Sequence, residues 1–209
     1  MTLAARLRQR LAIAQGDSSV LFDEGLSATV ALRPLKQAAV LVAFVDRPHP
    51  TLLLTRRQPH LRSHADQVAF PGGGADPADA DSIATALREA HEEVGLPANA
   101  ATIIGTLAPY RTNSGYCITP ALVTIPPDLP LIADPAEVAH IFEARCDHVF
   151  DPAMLVCKSA MWQGALRNYR EVMVDGERVW GVTAGIIHNI GLALGLDADP
   201  HALNRDVAA

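Results

Sequence analysis

Two of the apolar stretches of this chain repeat with a period typical of helices. Leu3, Leu7 and Leu11 recur every four residues, which predicts a short amphipathic helix that ends near Gly16. The last long apolar run, residues 183–196, predicts a second helix. Both helices are expected to pack an apolar face against the rest of the chain.

A third helical pattern, from Asp81 to Val94, is followed by Gly95, which is placed to cap the C-terminal end of the helix. At about 100° per residue, four apolar side chains of this segment fall within an arc of roughly 60°. They are Ile83, Leu87, Ala90 and Val94. This face is expected to pack on the core.

Strand-like segments alternate with the helices. In chain order they read "QAAVLVAFVD", "TLLLTRR", "QVAF", "ATIIGTLAPY", "CITPALVTI", "LRNYREVMV" and "RVWGVT". The first two flank "RPHP", which predicts a hairpin with a longer loop, and "PGGGADP" after the third predicts a turn or loop. One mixed α/β domain follows, with helices packed on a mostly antiparallel or mixed sheet. The expected boundaries are an accessory helix and linker at 1–30, the main domain at 31–200 and a tail at 201–209.

Composition narrows the class of protein. Of the 209 residues, 49% are hydrophobic and 19% charged, which is typical of a globular protein, and the net charge of -6 argues against a nucleic-acid partner. No apolar run is long enough for a membrane span, and arginines interrupt the N-terminal apolar stretch, so neither a membrane nor secretion is expected. Three cysteines without metal-site spacing predict buried thiols in the cytoplasm: Cys117, Cys146 and Cys157.

Acidic residues are concentrated within "LREAHEEVGL". Glu89, Glu92 and Glu93 share an arc of roughly 100° on the predicted helix, where like charges repel one another. A divalent cation would offset this repulsion, since Mg²⁺ prefers oxygen ligands and bridges carboxylates to phosphates. Alone, the pattern also fits a solvated acidic helix face. The glycine-rich "FPGGG" upstream and Arg88 favour a binding site, because glycines allow close approach and an arginine holds carboxylates in place.

The segment "GGGADPADADSIATALREAHEEVGL" resembles the Nudix box, which has a glutamate eight residues before its arginine. Here that position is Ala80, between Asp79 and Asp81. The resemblance implies a Nudix-type α/β/α sandwich with a mixed β-sheet. It also implies Mg²⁺ or Mn²⁺ as cofactor. The implied metal ligands are Glu89, Glu92 and Glu93, of which the last two are also catalytic, and Arg88 would orient a glutamate without touching the metal.

The preceding segment, "LLLTRRQPHLRSHADQVAFPGG", resembles the signature of coenzyme A diphosphatases within the Nudix superfamily. Gln58 stands where the signature has serine or alanine, and Asp66 stands where it has glycine. The resemblance implies hydrolysis of coenzyme A or acyl-CoA to 4′-phosphopantetheine and adenosine 3′,5′-bisphosphate. The implied substrate contacts are Arg57, Arg62, His64, Gly72 and Gly73. The alternative for His64 is a surface position without a substrate contact.

Later segments resemble the family as well, so that the similarity covers residues 38–196. Within "DPAEVAHIF", Glu137 is expected either as an extra metal ligand or general base, or as a surface glutamate at the start of a helix or strand.

Two functional classes remain open. One is an enzyme that hydrolyses a nucleoside diphosphate derivative, and the other is a binding module that has kept the fold and lost catalysis. The intact glutamates favour the enzyme. ADP-ribose or a modified nucleoside triphosphate is the alternative substrate. A homodimer is the usual expectation for a symmetric assembly.

Overall fold

The computed structural model describes residues 1–14, 34–162 and 165–204. Its α-helices are α1 (Leu3–Ala14), α2 (Ser82–Val94), α3 (Cys146–Val149) and α4 (Gly181–Leu194), and a 3₁₀ turn covers Ala98–Ala100. The strands are β1 (Lys36–Val45), β2 (Thr51–Arg57), β3 (Val68–Ala69), β4 (Gly72–Gly74), β5 (Thr102–Thr106), β6 (Tyr110–Arg111), β7 (Tyr116–Ile125), β8 (Val138–Arg145), β9 (Val156–Trp162), β10 (Ala165–Val174) and β11 (Glu177–Trp180). Gly16, the expected end of the first helix, lies outside the described residues.

The first eight strands form one mixed sheet, in which β1 runs parallel to β7 and the other pairs are antiparallel. The predicted hairpin of β1 and β2 is confirmed, but the two strands pair only where Phe44 and Val45 oppose Leu52 and Thr51. Beyond that point they diverge. β4 then pairs with β1 and β3 pairs with β2, so the opening between the two long strands is filled by short ones.

Alternate side chains of β1 face two different cores, as the period of two in a strand requires. Leu41 and Ala43 pack with Ala90 and Val94 of α2 on one side of the sheet. Phe44 packs on the other side, in the core that also contains residues of α1 and α4. The chain is therefore an α/β/α sandwich with a mixed sheet, as expected.

The last three strands form a separate antiparallel sheet in the order β11-β10-β9. It is joined to the large sheet where Arg56 of β2 forms an ion pair with Glu177 of β11 at 3.2 Å. Helix α4, which follows β11, is joined to β3 by the Thr183 hydroxyl, which donates to the Val68 carbonyl at 2.9 Å. Strand β9 was not predicted, and the segment that forms β8 was expected as either a helix or a strand, because neither sequence has a clean alternation of apolar and polar residues.

Helix α1 is integrated into the larger core. Leu3 and Leu7 are fully buried and Leu11 is nearly so. The guanidinium of Arg10 donates to the carbonyl of Leu194 at 2.8 Å, which satisfies an end carbonyl of α4. Helix α1 therefore contributes both apolar area and a C-terminal cap to the fold.

Three expectations need correction. The glycines expected in a turn form strand β4, because they pair with Ala38, Ala39 and Val40 of the distant β1, and a Cβ on Gly72 would lie only 2.7 Å from the Val40 Cα. The last helix ends at Leu194 rather than at 196, since Gly195 takes a left-handed conformation with φ 62°. Of the cysteines, Cys146 is buried, but Cys157 is exposed on β9 and Cys117 is only half-buried.

Across residues 1–14, 34–162 and 165–204, no helix combines the length and the apolar character needed to cross a membrane.

The burial of α1 generates a stability prediction. Leu7→Ala removes a fully buried side chain and leaves a cavity, so we expect the free energy of unfolding to fall by about 3 kcal/mol. Ile13→Ala, at an exposed position of the same helix, is the matched control and should change it by less than about 0.5 kcal/mol. Denaturant unfolding measures both, and equal effects would show that α1 is not part of the core.

Candidate functional site

Helix α2 carries the glutamates and is held at both ends by local contacts. Asp81 caps its N-terminus, where the carboxylate accepts from the Ala84 N–H at 2.8 Å. Gly95 closes the C-terminus in the left-handed region with φ 66°. These caps fix the start and the end of the helix, and with them the direction in which each glutamate points.

Strand β4 runs directly beneath the glutamates. A Cβ on Gly73 would lie 2.6 Å from the Glu89 Cδ, so the missing side chain is what makes room for that carboxylate. The backbone N–H of Gly72 donates to Glu93 Oε2 at 3.1 Å. The two glycines therefore contact the acidic residues themselves, and the expectation that they also bind substrate stays a prediction.

The three glutamates differ in their surroundings. Glu93 is buried, Glu89 is largely covered and 58% of the Glu92 side chain is exposed. Burial raises the pKa of Glu93 to about 7, because desolvation disfavours the charged carboxylate more than the Gly72 N–H and Arg57 favour it. A carboxyl that titrates near neutral pH is typical of functional sites.

Arg57, the last residue of β2, connects two carboxylates. Its guanidinium lies 3.3 Å from Glu93 and 3.5 Å from Glu137. Its Nε is buried and has no hydrogen-bond partner within the described residues. The divergence of β1 and β2 thus brings residues of β2, α2 and the segment before β8 into one site. Glu137 immediately precedes β8, and about half of its side chain is exposed.

Arg88 is fixed by the acid that stands next to the unusual Ala80. Its Nε and Nη2 contact the two oxygens of Asp79 at 3.0 and 3.1 Å, and this pairing holds the pKa of Asp79 well below its usual range. Nη1 of the same guanidinium contacts Glu89 at 2.8 Å and Glu92 at 3.2 Å. The arginine thus orients two glutamates. The sequence pointed equally to Asp79 and Asp81, and only the fold distinguishes the arginine partner from the helix cap.

The expected substrate residues Arg62 and His64 lie in the loop between β2 and β3. Both are exposed in the loop of residues 58–67, whose ends meet where the Arg57 N–H donates to the Gln67 carbonyl at 2.9 Å. In the part of the chain that the structure describes, neither side chain forms an ion pair with a carboxylate of α2. The loop is nevertheless rooted beside Arg57.

Asp66, at the position where the signature has glycine, keeps a left-handed conformation with φ 62°. Aspartate tolerates this region better than most residues. Its carboxylate does not face the glutamates, since it pairs with Arg56 at 2.9 Å. The aspartate therefore ties the loop to β2.

Within the described residues, no group of three or more His, Cys, Asp or Glu side chains is arranged to hold a metal ion. Arg57 and Arg88 occupy oxygens of the carboxylates instead. The donor set nevertheless fits a hard divalent cation, because it consists of carboxylate oxygens and one of them is buried against a backbone N–H. The space above Gly73 is already shaped for a carboxylate.

A cavity of about 360 Å³ lies elsewhere. Its lining includes Arg145, Asp147 and His201. Arg145 pairs with Thr51 at the start of β2, whereas Arg57 is at the other end of that strand, about 20 Å away at the usual rise per residue. The cavity shares no lining residue with the glutamate site.

Comparison with known proteins identifies the family to which the chain belongs. A family model described as the NUDIX domain matches residues 35–160. The chain belongs to the Nudix family. Nudix hydrolase NudL of Escherichia coli (strain K12), an uncharacterized protein, is 43% identical over 191 residues, which cover 85% of this chain and 97% of that protein. The NudL of Shigella sonnei (strain Ss046) has the same identity and coverage.

Solved structures give weaker similarities. A Nudix hydrolase from M. smegmatis, RenU, aligns with a TM-score of 0.47 and 26% identity over 55% of this chain and 73% of its own. A MutT/nudix family protein from Enterococcus faecalis aligns with a TM-score of 0.48 and 14% identity over 93% of this chain and 72% of its own. Family membership makes this protein a hydrolase that acts on phosphoric anhydrides, and Nudix hydrolases generally use divalent metal ions.

The contact of Glu89 with β4 provides a matched pair of variants. Gly73→Ala places a methyl group where the Glu89 carboxylate lies, so we expect at least a tenfold loss of kcat/KM, about 1.4 kcal/mol or more. Gly74→Ala meets nothing within 4 Å and keeps the carbonyl that accepts from Arg88, so its activity should stay near that of the unmodified protein. Similar losses in both variants, with circular dichroism unchanged, would contradict the role given to Gly73.

The raised pKa of Glu93 predicts a pH dependence of stability in the metal-free protein. Between the unfolded value of 4.5 and the folded value of about 7, the folded state holds more protons than the unfolded state. The free energy of unfolding should therefore fall as pH rises through this window and level off above it. Glu93→Gln has no proton to lose and should show a flatter profile. Denaturant unfolding with a chelator, from about pH 5 to about pH 8, measures both; parallel profiles would mean that Glu93 titrates normally.

Proposed function

We propose that the protein hydrolyses the diphosphate bond of coenzyme A or its acyl thioesters, with Mg²⁺ or Mn²⁺ as cofactor. The products would be 4′-phosphopantetheine, or its acyl derivative, and adenosine 3′,5′-bisphosphate. The observation that carries the chemistry is the buried Glu93 carboxylate, held between the Gly72 N–H and Arg57 beside Glu89. Buried carboxylates are retained where a cation or a proton compensates them.

In this proposal Glu89, Glu92 and Glu93 hold the divalent cation. When bound, the cation withdraws charge from the diphosphate oxygens and makes water a better nucleophile at neutral pH. Arg88, fixed by Asp79, keeps Glu89 and Glu92 turned toward the same side of α2. Arg88 would then act through the two glutamates and not on the substrate.

The reaction needs an acceptor for one proton. A water oxygen bonds to one phosphorus, the bond from that phosphorus to the bridging oxygen breaks, and the bridging oxygen leaves with the second phosphate. We assign the water proton to Glu137, which is exposed enough to reach solvent and lies beside Arg57. The buried Glu93, which lies on the other side of Arg57, is the alternative acceptor.

Substrate contacts follow from the cationic groups around the site. The Arg57 guanidinium lies between Glu93 and Glu137, so it would also lie beside a phosphate bound at the glutamates. Arg62 and His64 extend from the loop rooted at Arg57 and would reach the more distant phosphates of coenzyme A. These contacts, together with the loop sequence, support coenzyme A over smaller diphosphates.

A substrate panel tests the proposal. The purified protein with Mg²⁺ is incubated with coenzyme A, dephospho-CoA, ADP-ribose, NADH and nucleoside triphosphates, and the products are identified by mass. We expect coenzyme A to be cleaved fastest and dephospho-CoA markedly more slowly. Glu93→Gln, which keeps the shape of the side chain, should lower the rate by about 10²-fold or more without unfolding the protein. If ADP-ribose is cleaved faster than coenzyme A, ADP-ribose replaces coenzyme A as the proposed substrate. If Glu93→Gln turns over normally, the assignment of the metal site is wrong.

A further inference from the structure

Gln58 directly follows Arg57 and makes three hydrogen bonds to the turn that carries Glu137. Its backbone N–H donates to the Glu137 carbonyl at 2.8 Å. Its side-chain amide donates to the carbonyls of Pro135 at 3.1 Å and Val138 at 3.3 Å. The half-buried side chain thus spans the turn on both sides of Glu137.

These hydrogen bonds form where the regular pairing of β2 with β8 is interrupted. Along β2 and β8, Arg56 opposes His140 but Arg57 opposes Val138, so one residue of β8 is skipped. Such a bulge bends the strand and redirects its side chains. Beyond it, Gln58 is the residue of the β2 side that holds the turn, through its own N–H and its amide.

The opposite side of the turn is fastened to the helix of the glutamates. The Asp134 N–H donates to the Glu93 carbonyl at 2.9 Å, and the Ile132 N–H donates to the Val94 carbonyl at 3.0 Å. Within the turn, the Glu137 N–H donates to the Asp134 carbonyl at 3.1 Å. The turn therefore bridges α2 and the end of β2, and Gln58 supplies its attachment on the β2 side.

The hydrogen-bonding groups of the Gln58 side chain argue against a direct contact with substrate. A glutamine amide has two N–H donors and an acceptor oxygen. The amide nitrogen of Gln58 already serves two backbone carbonyls, and its oxygen is an acceptor that would repel a phosphate. Gln58 is therefore unsuited to bind an anionic substrate directly.

We infer that Gln58 is a positioning residue, which holds the turn of residues 135–138 so that the Glu137 carboxylate lies against Arg57 in the site. The inference rests on the proposed function, since it takes the reaction to use Glu137. Because the turn keeps its bonds to α2 when the amide is removed, we expect Gln58 variants to fold and to bind substrate, and to lose turnover.

The test compares Gln58→Met, which keeps the length of the side chain and removes both donors, with Gln9→Ala at an exposed position of α1. With coenzyme A and Mg²⁺, Gln58→Met should lower kcat about tenfold and leave KM within about twofold, as expected for a misplaced catalytic group. Gln9→Ala should match the unmodified protein. A Gln58→Met variant with unchanged kcat overturns the inference.

A double-mutant cycle shows whether Gln58 acts through Glu137. In a Glu137→Gln background, the further change Gln58→Met should lower kcat by less than about twofold, because the group that it positions is already lost. An undiminished tenfold loss in that background would mean that Gln58 acts elsewhere. If Glu137→Gln alone leaves kcat unchanged, the inference fails while the metal site on α2 stands.

Hydrogen exchange followed by mass spectrometry gives a readout that needs no activity. In Gln58→Met, amides of residues 136–139 should exchange at least about tenfold faster, and those of α2 should not change. Unchanged exchange in the turn overturns the inference. If no diphosphate of the panel is hydrolysed, the proposed function fails on its own, and exchange alone then decides whether Gln58 holds the turn.

Discussion

The carboxylate of Glu93 lies against strand β4, whose three residues are glycines without side chains. Its partner is a backbone N–H of β4, and the neighbouring glycine of that strand leaves the space that Glu89 occupies. This close approach requires β1 and β2 to diverge, because β4 pairs with β1 inside the opening. The arrangement of sheet, helix and acidic residues thus depends on a short strand that presents backbone alone to a helix.

Two arginines distribute the charge around that contact. Arg57 reaches from the sheet to Glu93 and Glu137, and Arg88 connects Glu89 to the loop before α2 through Asp79. Each guanidinium therefore lowers the repulsion between carboxylates that come from different elements. The buried carboxyl still keeps a raised pKa, since desolvation outweighs these contacts at Glu93. The result is a site in which the Glu93 carboxyl has a raised pKa and the Asp79 carboxyl has a lowered one.

Features set by local contacts could be read from the sequence. Helix α2 was predicted with its C-terminal cap, because apolar spacing and a following glycine act within a few residues. Strand β4 was mistaken for a turn, because glycines carry no pattern and its pairing depends on distant β1. Glu89, Glu92 and Glu93 could be named from their shared face on the predicted helix and from the family motif. The role of Gln58 could not be predicted from the sequence, because its partners lie about eighty positions away. The bulge next to these contacts is also visible only in the folded chain.

The loop of residues 58–67 begins and ends beside the site of the glutamates. The base of this loop is fixed by the backbone hydrogen bond from Arg57 to Gln67, by the bonds of Gln58 to the turn that carries Glu137 and by the ion pair of Arg56 with Asp66. Loop composition and length change closure entropy slowly, and surface loops tolerate exchange. Residues 59–65 lie outside these contacts and could change in sequence without moving Arg57 or Glu137. If Arg62 and His64 bind substrate as proposed, substrate preference could change within one lineage through these few loop residues, while Gln58 has to be kept.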